Sequence, residues 1–279
     1  MRRRLVDWAL HHEGSTRAAA LVRIGLAAIA WARFGGELGP WLQQTALGRT
    51  MALVFFVAST AMLIGWRAQL ATAVTGVCVS LLGLQPTLFG GGDGWRHHHI
   101  QLLGTVTIAL AFVPSGRSYA VDRWLALRDA ARRGAPPPQE RANLWGMRLI
   151  VVQLSVIYLF AGIDKTNLAF LSGARLEHLL LWQYWGSEPP ALPGLSVICA
   201  LFAIGNVALE YALAFGMPFA RARRWLWLPG LALHAVFYLT LAVMTYSATM
   251  MLLYLAYFDP DRVHDVIETL SGHPPGRES

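Results

Sequence analysis

Lysine is almost absent from this sequence: of its 23 lysine and arginine residues, only Lys165 is a lysine. Charged residues make up 14% of the 279 positions, whereas hydrophobic residues make up 55%, and the mean hydropathy is +0.44. A single soluble core of this length needs far fewer apolar side chains. The shortage of charge therefore excludes an ordinary soluble domain and predicts an integral membrane protein.

Cysteine is also scarce, with Cys78 and Cys199 as its two representatives. Both lie inside apolar runs and form no CxxC pair, which excludes a disulfide framework and a thiol redox motif. The sequence shows no Ser-His-Asp spacing and no nucleotide-binding motif. The glycine-rich stretch 90–94 lacks a following GK[ST] and is typical of a loop.

Positive charge is what the sequence does have, with a formal net charge of +7. Its arginines fall in the short segments between apolar runs, as the positive-inside rule describes. Contact with the lipid bilayer and its anionic headgroups explains this charge, so we expect no nucleic-acid partner. The same rule predicts a cytoplasmic N-terminus and places the basic loop 114–146 on that side.

The apolar runs predict an all-α fold, a polytopic bundle of membrane-spanning helices. Six spans are expected at 17–38, 50–66, 68–88, 100–113, 147–164 and 193–218. The last apolar run, 225–258, exceeds one straight crossing of ~30 Å at ~1.5 Å per residue, so it is either steeply tilted or broken into two helices. The sequence therefore predicts about seven or eight spans.

The segments outside these spans complete the expected organisation. Residues 1–16 are predicted to be a cytoplasmic N-terminal segment, residues 17–258 the transmembrane domain, and residues 259–279 a polar, loose tail. Residues 165–192 mix polar and aromatic side chains and predict a re-entrant or interfacial cap. The count of basic loops places Lys165 and the histidine run at 97–99 on the same, non-cytoplasmic side.

Polar side chains inside a membrane protein are costly unless they are paired or needed, so they are the best functional candidates. Here they are Arg23, His99, Asp164, Lys165, Glu210 and His234, with Glu177 and His178 in the cap. Lys165 is either a base, a role that arginine cannot fill, or an anchor at a helix end. Glu210 is either the partner of an intramembrane arginine such as Arg23 or a proton relay or substrate contact.

The three consecutive histidines invite comparison with a metal site. Adjacent side chains on a helix point about 100° apart and cannot all reach one ion, so we expect no metal. We expect His97 and His98 to be interfacial. His99 is expected to turn inward as a base, a hydrogen-bond partner or a residue that orients a ligand.

The segment from Tyr158 to Lys165, which reads YLFAGIDK, resembles part of the transmembrane domain shared by vitamin K-dependent gamma-carboxylase and its bacterial relatives, the horizontally transferred transmembrane (HTTM) domain. The carboxylase segment reads aromatic, Ala-Gly-Val, then two lysines. Its second lysine is the catalytic base and matches Lys165, while Asp164 replaces the first. The resemblance covers about Gly14 to Arg262.

Other positions follow the same order as in that family. The segment 173–177, which reads GARLE, is similar to the carboxylase's Gly-Tyr-Ser-Met-Glu. His99 lies five residues before Gly104, as does the carboxylase histidine that assists the base. Glu210 falls where the family has an acidic residue, and His234 matches a histidine in the last span.

This resemblance implies a membrane-embedded enzyme that combines lyase and monooxygenase chemistry. A neutral lysine deprotonates a reduced naphthoquinone, whose anion reacts with oxygen, and the strong base so formed drives carboxylation of a glutamate. Desolvation favours the neutral lysine and protects the strong base from water. Lys165, with His99 assisting, would fill the lysine's role.

The resemblance also bears on partners and location. Vertebrate carboxylases carry a long lumenal region after this domain, whereas this sequence ends at Ser279, so we expect a small exported peptide or a partner membrane subunit in addition to the lipid-soluble quinone. The expected location is the bacterial inner (plasma) membrane. The alternative is a non-catalytic membrane component for maturation, export or immunity of a secreted peptide, whose polar groups only bind.

Overall fold

The structure is a computed structural model that describes residues 10–89, 97–186, 192–241 and 243–272. The predicted glycine-rich loop at 90–94 and the end of the predicted cap at 187–191 lie outside these residues. Twelve α-helices occur in the described part of the chain: α1 Arg17–Phe34, α2 Ala46–Ile64, α3 Ala68–Leu84, α4 His98–Leu110, α5 Val121–Arg133, α6 Trp145–Lys165, α7 Leu168–Leu171, α8 Ala174–Trp185, α9 Leu195–Gly216, α10 Ala220–Thr240, α11 Met244–Leu253 and α12 Pro260–Leu270. The predicted all-α fold class is therefore confirmed.

Single-turn helices and one short ribbon make up the rest of the secondary structure in the described residues. The 3-10 turns are Pro40–Leu42, Pro86–Phe89, Ser115–Arg117 and Tyr254–Ala256. Strands β1 (Glu13–Ser15) and β2 (Arg141–Asn143) pair antiparallel, with Gly14 opposite Ala142. The chain divides into two compact units, Met1–Val151 with His234–Ser279, and Val152–Leu233.

Helices α2 and α3 form the hairpin that the short link at 66–69 predicts. Gly65 ends α2 in the left-handed conformation (φ 72°), and the Trp66 N–H donates to Ala61 O at 2.9 Å. The Asp122 carboxylate then accepts a hydrogen bond from the Ala68 N–H at the first turn of α3, at 2.8 Å. A left-handed glycine followed by a capped helix start reverses the chain within a few residues.

Small residues let α3 and α4 pack closely within the first unit. A Cβ on Gly76 would lie 2.8 Å from the Ile108 backbone nitrogen, and a Cβ on Gly104 would lie 3.0 Å from the Ser80 nitrogen. Both positions therefore require glycine for the observed approach. Such glycines are common where helices meet in membranes, because van der Waals packing is the main attraction there.

Three helices in the described residues are long and apolar enough to cross a membrane: Ala46–Ile64, Trp145–Lys165 and Leu195–Gly216. Ala68–Leu84 and Met244–Ala256 are apolar but shorter. The predicted total of seven or eight spans is not confirmed. The run 225–258 is broken, because α10 ends at Thr240 and α11 begins at Met244.

The predicted loose tail is wrong for residues 260–270, which form α12. The Asp259 side chain caps this helix by accepting from the Asp261 N–H at 3.0 Å. Asp261 makes a bidentate ion pair with Arg141 of β2, at 2.8 and 3.0 Å, and accepts from the Ser15 N–H of β1. Sequence polarity predicted solvation here, but Asp261 has partners in the ribbon and Glu268 forms an ion pair with Arg17 of α1.

The second unit contains α7 and α8, which lie in the region predicted as a cap, and α9, which lies in the predicted span 193–218. Gly173 precedes α8 with φ 77°, and a Cβ there would collide with the backbone of Cys199 and Ala200 in α9. The segment 165–185 therefore includes a helix packed against α9. Its depth relative to a bilayer stays a prediction.

Candidate functional site

Lys165 is the last residue of α6, where the chain turns sharply. The Thr166 hydroxyl donates to Gly162 O at 2.7 Å, and the Asn167 side chain accepts from the Phe170 N–H at 3.0 Å to begin α7. The Asn167 amide also donates back to Asp164 O at 2.7 Å. A cation in the last helical turn is favourable because the carbonyl ends of the helix carry partial negative charge.

Lys165 is paired with Glu210 of α9. Its Nζ donates to Glu210 Oε1 at 2.6 Å, and the side chains are 25% and 5% exposed, respectively. The second carboxylate oxygen, Oε2, is buried and has no hydrogen-bond partner among the described residues. Lys165 is thus partly exposed, whereas Glu210 is buried and has one carboxylate oxygen that can still accept a hydrogen bond.

The end of α6 and the facing side of α9 bring three further polar groups beside this pair. The Tyr211 hydroxyl lies 2.9 Å from the Thr166 hydroxyl. A Cβ on Gly162 would lie only 3.2 Å from the Tyr211 ring, so glycine in the AGID stretch makes room for that ring. Asn206 lies one turn before Glu210 on α9 and interacts with its carboxylate.

The other site residues predicted in this unit lie around the end of α6 and in α8. Asp164 is exposed, immediately before Lys165. Glu177 lies in the first turn of α8, a position that favours an acidic side chain. His178 is exposed and stacks on Trp182, with ring centroids 6.4 Å apart.

In the first unit, His99 and His234 belong to one cluster of rings. His97 and His98 are exposed, whereas His99 is half-buried with its ring centroid 5.3 Å from that of Tyr246. Tyr246 in turn lies 5.7 Å from the buried His234. Tyr246, on α11, therefore joins the two predicted histidines.

Arg23 is not the partner of Glu210, so that interpretation of the sequence is wrong. Its guanidinium is fully buried in the first unit and donates from Nη2 to Tyr119 O at 2.7 Å. Among the described residues its Nε and Nη1 have no hydrogen-bond partner, and the Asp122 carboxylate acts on the cation only electrostatically. The hydrogen bond to Tyr119 links α1 to the 114–120 segment.

Sequence reasoning missed four polar residues at these clusters: Asn206, Tyr211, Thr166 and Tyr246. Asn206 and Glu210 are separated by four residues on one helix, which puts them on the same face. That spacing could have indicated Asn206. Tyr211, Thr166 and Tyr246 become neighbours of the candidate residues through helix packing, which the sequence does not display.

No group of three or more His, Cys, Asp or Glu side chains suited to a metal ion occurs in the residues that the structure describes.

A model of the HTTM domain matches residues 38–262 of the chain. The chain belongs to the HTTM domain family. No curated protein and no solved structure matches it.

HTTM is a membrane domain related to the vitamin K-dependent carboxylase family, so the chain is an integral membrane protein. The match confirms the family that the YLFAGIDK segment indicated. Lys165, Glu210, His99 and His234 fall inside the HTTM domain, whereas Arg23 precedes it.

Proposed function

We propose that this HTTM protein is a membrane-embedded, carboxylase-like enzyme in which Lys165 is the general base. The observation that carries the proposal is the 2.6 Å bond from Lys165 Nζ to the buried Glu210. Lys165 is also the sole lysine of the chain, and it lies inside the HTTM domain. Arginine would supply the same charge to Glu210 but could not accept a proton.

The pair gives an abstracted proton a place to go. In the resting pair Lys165 is an ammonium beside the Glu210 carboxylate, and its amine accepts a substrate proton once one of its own has left. Because Nζ and Oε1 are already hydrogen bonded, the proton can pass on to Glu210.

A reduced naphthoquinone of the vitamin K type fits the residues around Lys165 as substrate. The group supplies an acidic hydroxyl and the electrons for reaction with oxygen. Lys165 is 25% exposed, while Phe160 and Ile163 of the same helix are exposed apolar residues that suit a lipid-dissolved molecule. Because the Thr166 hydroxyl donates to Gly162 O, the Tyr211 hydroxyl donates to Thr166, and its oxygen can accept from a hydroxyl of the quinol.

His99 is proposed to assist the base, as the family resemblance implies. Its half-buried ring is oriented by Tyr246, which also contacts His234. Asp164, Glu177, His178 and His234 are proposed as residues that bind substrate or relay protons. The proposed partner is a small exported peptide or a second membrane subunit at the bacterial inner membrane, with the N-terminus in the cytoplasm.

A non-catalytic role is the second candidate, and the same ion pair favours it. A charge pair between α6 and α9 stabilises helix packing without any proton transfer. In that case Lys165 contributes only its charge, and the protein acts as a binding component in peptide maturation, export or immunity.

The decisive experiment compares wild type, Lys165→Arg and Lys165→Ala in lipid nanodiscs supplied with reduced naphthoquinone. Oxygen consumption and epoxide formation are measured, with His99→Gln tested alongside. The proposal expects loss of turnover in both lysine variants and a smaller loss in His99→Gln. Full turnover in Lys165→Arg would eliminate the base role. The binding role is supported by a different result, in which wild type shows no turnover with the quinol. In cells, peptide maturation would then persist in Lys165→Arg and be lost in Lys165→Ala.

A further inference from the structure

A basic cleft in the first unit lies outside the candidate site. Its volume is about 630 Å³, and it is lined by the turn between α2 and α3, the segment after α4, and the start of α5. Three arginines, Arg67, Arg117 and Arg123, line it against a single carboxylate, Asp122. We propose that this cleft binds the phosphate headgroup of an anionic phospholipid.

The one carboxylate in the cleft is already engaged. Asp122 Oδ1 accepts from the Arg67 N–H and Oδ2 from the Ala68 N–H, each at 2.8 Å. These bonds cap the start of α3 and pin the first turn of α5 to the hairpin. Since its oxygens face the backbone, Asp122 helps to build the wall of the cleft and leaves an excess of positive charge.

The arginines differ in how far they are available to a ligand. Arg123 lies 3.5 Å from Glu140 and donates to Pro138 O, so it is committed to the protein. Arg117 uses Nη1 to bind Arg141 O at 2.6 Å but is exposed. Arg67 is exposed and lies over its neighbour Trp66, with 5.8 Å from Cζ to the ring centroid. Arg67 and Arg117 therefore present guanidinium groups whose planar N–H donors suit phosphate oxygens.

The residues around the cleft are of the types found at the depth of lipid headgroups. Trp124 and Leu125 are 56% and 42% exposed, and Arg128 lies over the Trp124 ring at 5.4 Å. Trp66, on the other wall, is 48% exposed. Exposed tryptophans beside arginines are typical of the membrane interface, and a short helix with basic and apolar faces lies in that plane.

The cleft also adjoins a membrane crossing. The turn that carries Arg67 directly follows α2, which is long and apolar enough to span the bilayer. A lipid diffusing in the membrane plane reaches this position without leaving the bilayer. Bound phospholipid would thus hold α5 against the surface while the acyl chains stay among the spanning helices.

The test uses the full chain in nanodiscs of phosphatidylcholine with a minor fraction of phosphatidylglycerol, and native mass spectrometry of the released protein. We expect the wild type to retain phosphatidylglycerol preferentially. Retention of phosphatidylglycerol should fall roughly fivefold in Arg67→Gln and by about the same factor again in Arg67→Gln/Arg117→Gln. Arg221→Gln, an exposed arginine of α10, removes the same charge elsewhere and is expected to leave retention unchanged.

Circular dichroism checks that each variant is folded. If the double variant loses helix content, the single variant Arg67→Gln decides the test, because the Arg67 side chain contacts no carbonyl or carboxylate of the described residues. Equal retention in wild type and Arg67→Gln overturns the proposal, as does an equal loss in Arg221→Gln. A second arm adds inorganic phosphate to protein in pure phosphatidylcholine. Phosphate-dependent thermal stabilisation that disappears in Arg67→Gln, without phosphatidylglycerol preference, assigns the cleft to a soluble phosphate and overturns the lipid assignment.

Discussion

Lys165 Nζ donates to Glu210 Oε1 at 2.6 Å, joining the last residue of α6 to the middle of α9. The pairing answers one question that the sequence left open, because it gives Glu210 a lysine partner in place of Arg23. It also couples the chemical proposal to stability, since removing either residue leaves the other without its counter-charge.

The energetic role of this pair can be measured in a double-mutant cycle with Lys165→Met and Glu210→Gln. Glu210→Gln leaves a partly buried ammonium beside a neutral amide, so we expect a loss of roughly 1–3 kcal/mol in the free energy of unfolding. The double variant should recover part of this loss. Asp164→Asn removes an exposed neighbouring carboxylate and should change stability by less than about 0.5 kcal/mol. Additive single-variant effects in detergent unfolding would contradict the pairing.

The turn at Gly65 predicts a difference in stability between two glycine-to-alanine variants, Gly65→Ala and Gly134→Ala. Gly65→Ala places a methyl group at φ 72°, where it meets the Arg23 guanidinium and lies 2.5 Å from Ala120 Cβ. Gly134→Ala has φ 62° with nothing within 4 Å, so it pays only the left-handed strain of about 1–2 kcal/mol. We expect the Gly65 variant to be the less stable of the two by a clear margin in thermal unfolding. Equal melting temperatures would show that Arg23 is not held against this turn.

The N-terminal segment predicts a loss of stability in acid. Burial and, to a smaller extent, the charge of Arg148 lower the pKa of His12 to about 4, although Asp259 and Asp261 act in the opposite direction. The unfolded chain, with a pKa near 6.5, binds the proton first as the pH falls. The contribution of His12 is therefore complete above about pH 6.5 and is lost progressively toward pH 4.

A comparison of wild type with a His12 variant separates the contribution of His12 from those of the other histidines. The difference in the free energy of unfolding between wild type and His12→Gln is measured from pH 7.5 to pH 4. It should shrink as the pH falls. A constant difference would mean that His12 is not held neutral beside Arg148, whose Nη2 lies 3.3 Å from His12 Nδ1.

Helix α12 should be protected from hydrogen exchange, in contrast to a loose tail. Partial burial alone would raise the pKa of Asp261, but the Arg141 ion pair and the Ser15 N–H outweigh it and hold the pKa below its usual range. Asp261→Asn removes the charge from both contacts and should lower amide protection across 260–270. Asp265→Asn, at an exposed position of the same helix, should not. Rapid exchange in wild type would contradict the docking.

The HTTM assignment required only the local order of residues. The YLFAGIDK segment, the histidine at 99 and the acidic residue at 210 are recognisable in one dimension, because a motif keeps its spacing whatever surrounds it. Helix content followed in the same way, since long apolar runs without charge have few alternatives to a helix in a membrane. The hairpin of α2 and α3 was likewise visible from the short link between two apolar runs.

Pairing between helices depended on tertiary structure. Nothing in the spacing of 165 and 210 distinguishes Lys165 from Arg23 as the partner of Glu210. The pairing appears only when α9 packs against α6, with the Tyr211 ring against Gly162. The same holds for α12, whose polar sequence predicted solvation until Arg141 and Ser15 met Asp261. Composition and periodicity determined that the chain is a helical membrane protein with one exceptional lysine. The fold decided the partner of that lysine, because side-chain pairing depends on distances between segments far apart in the chain.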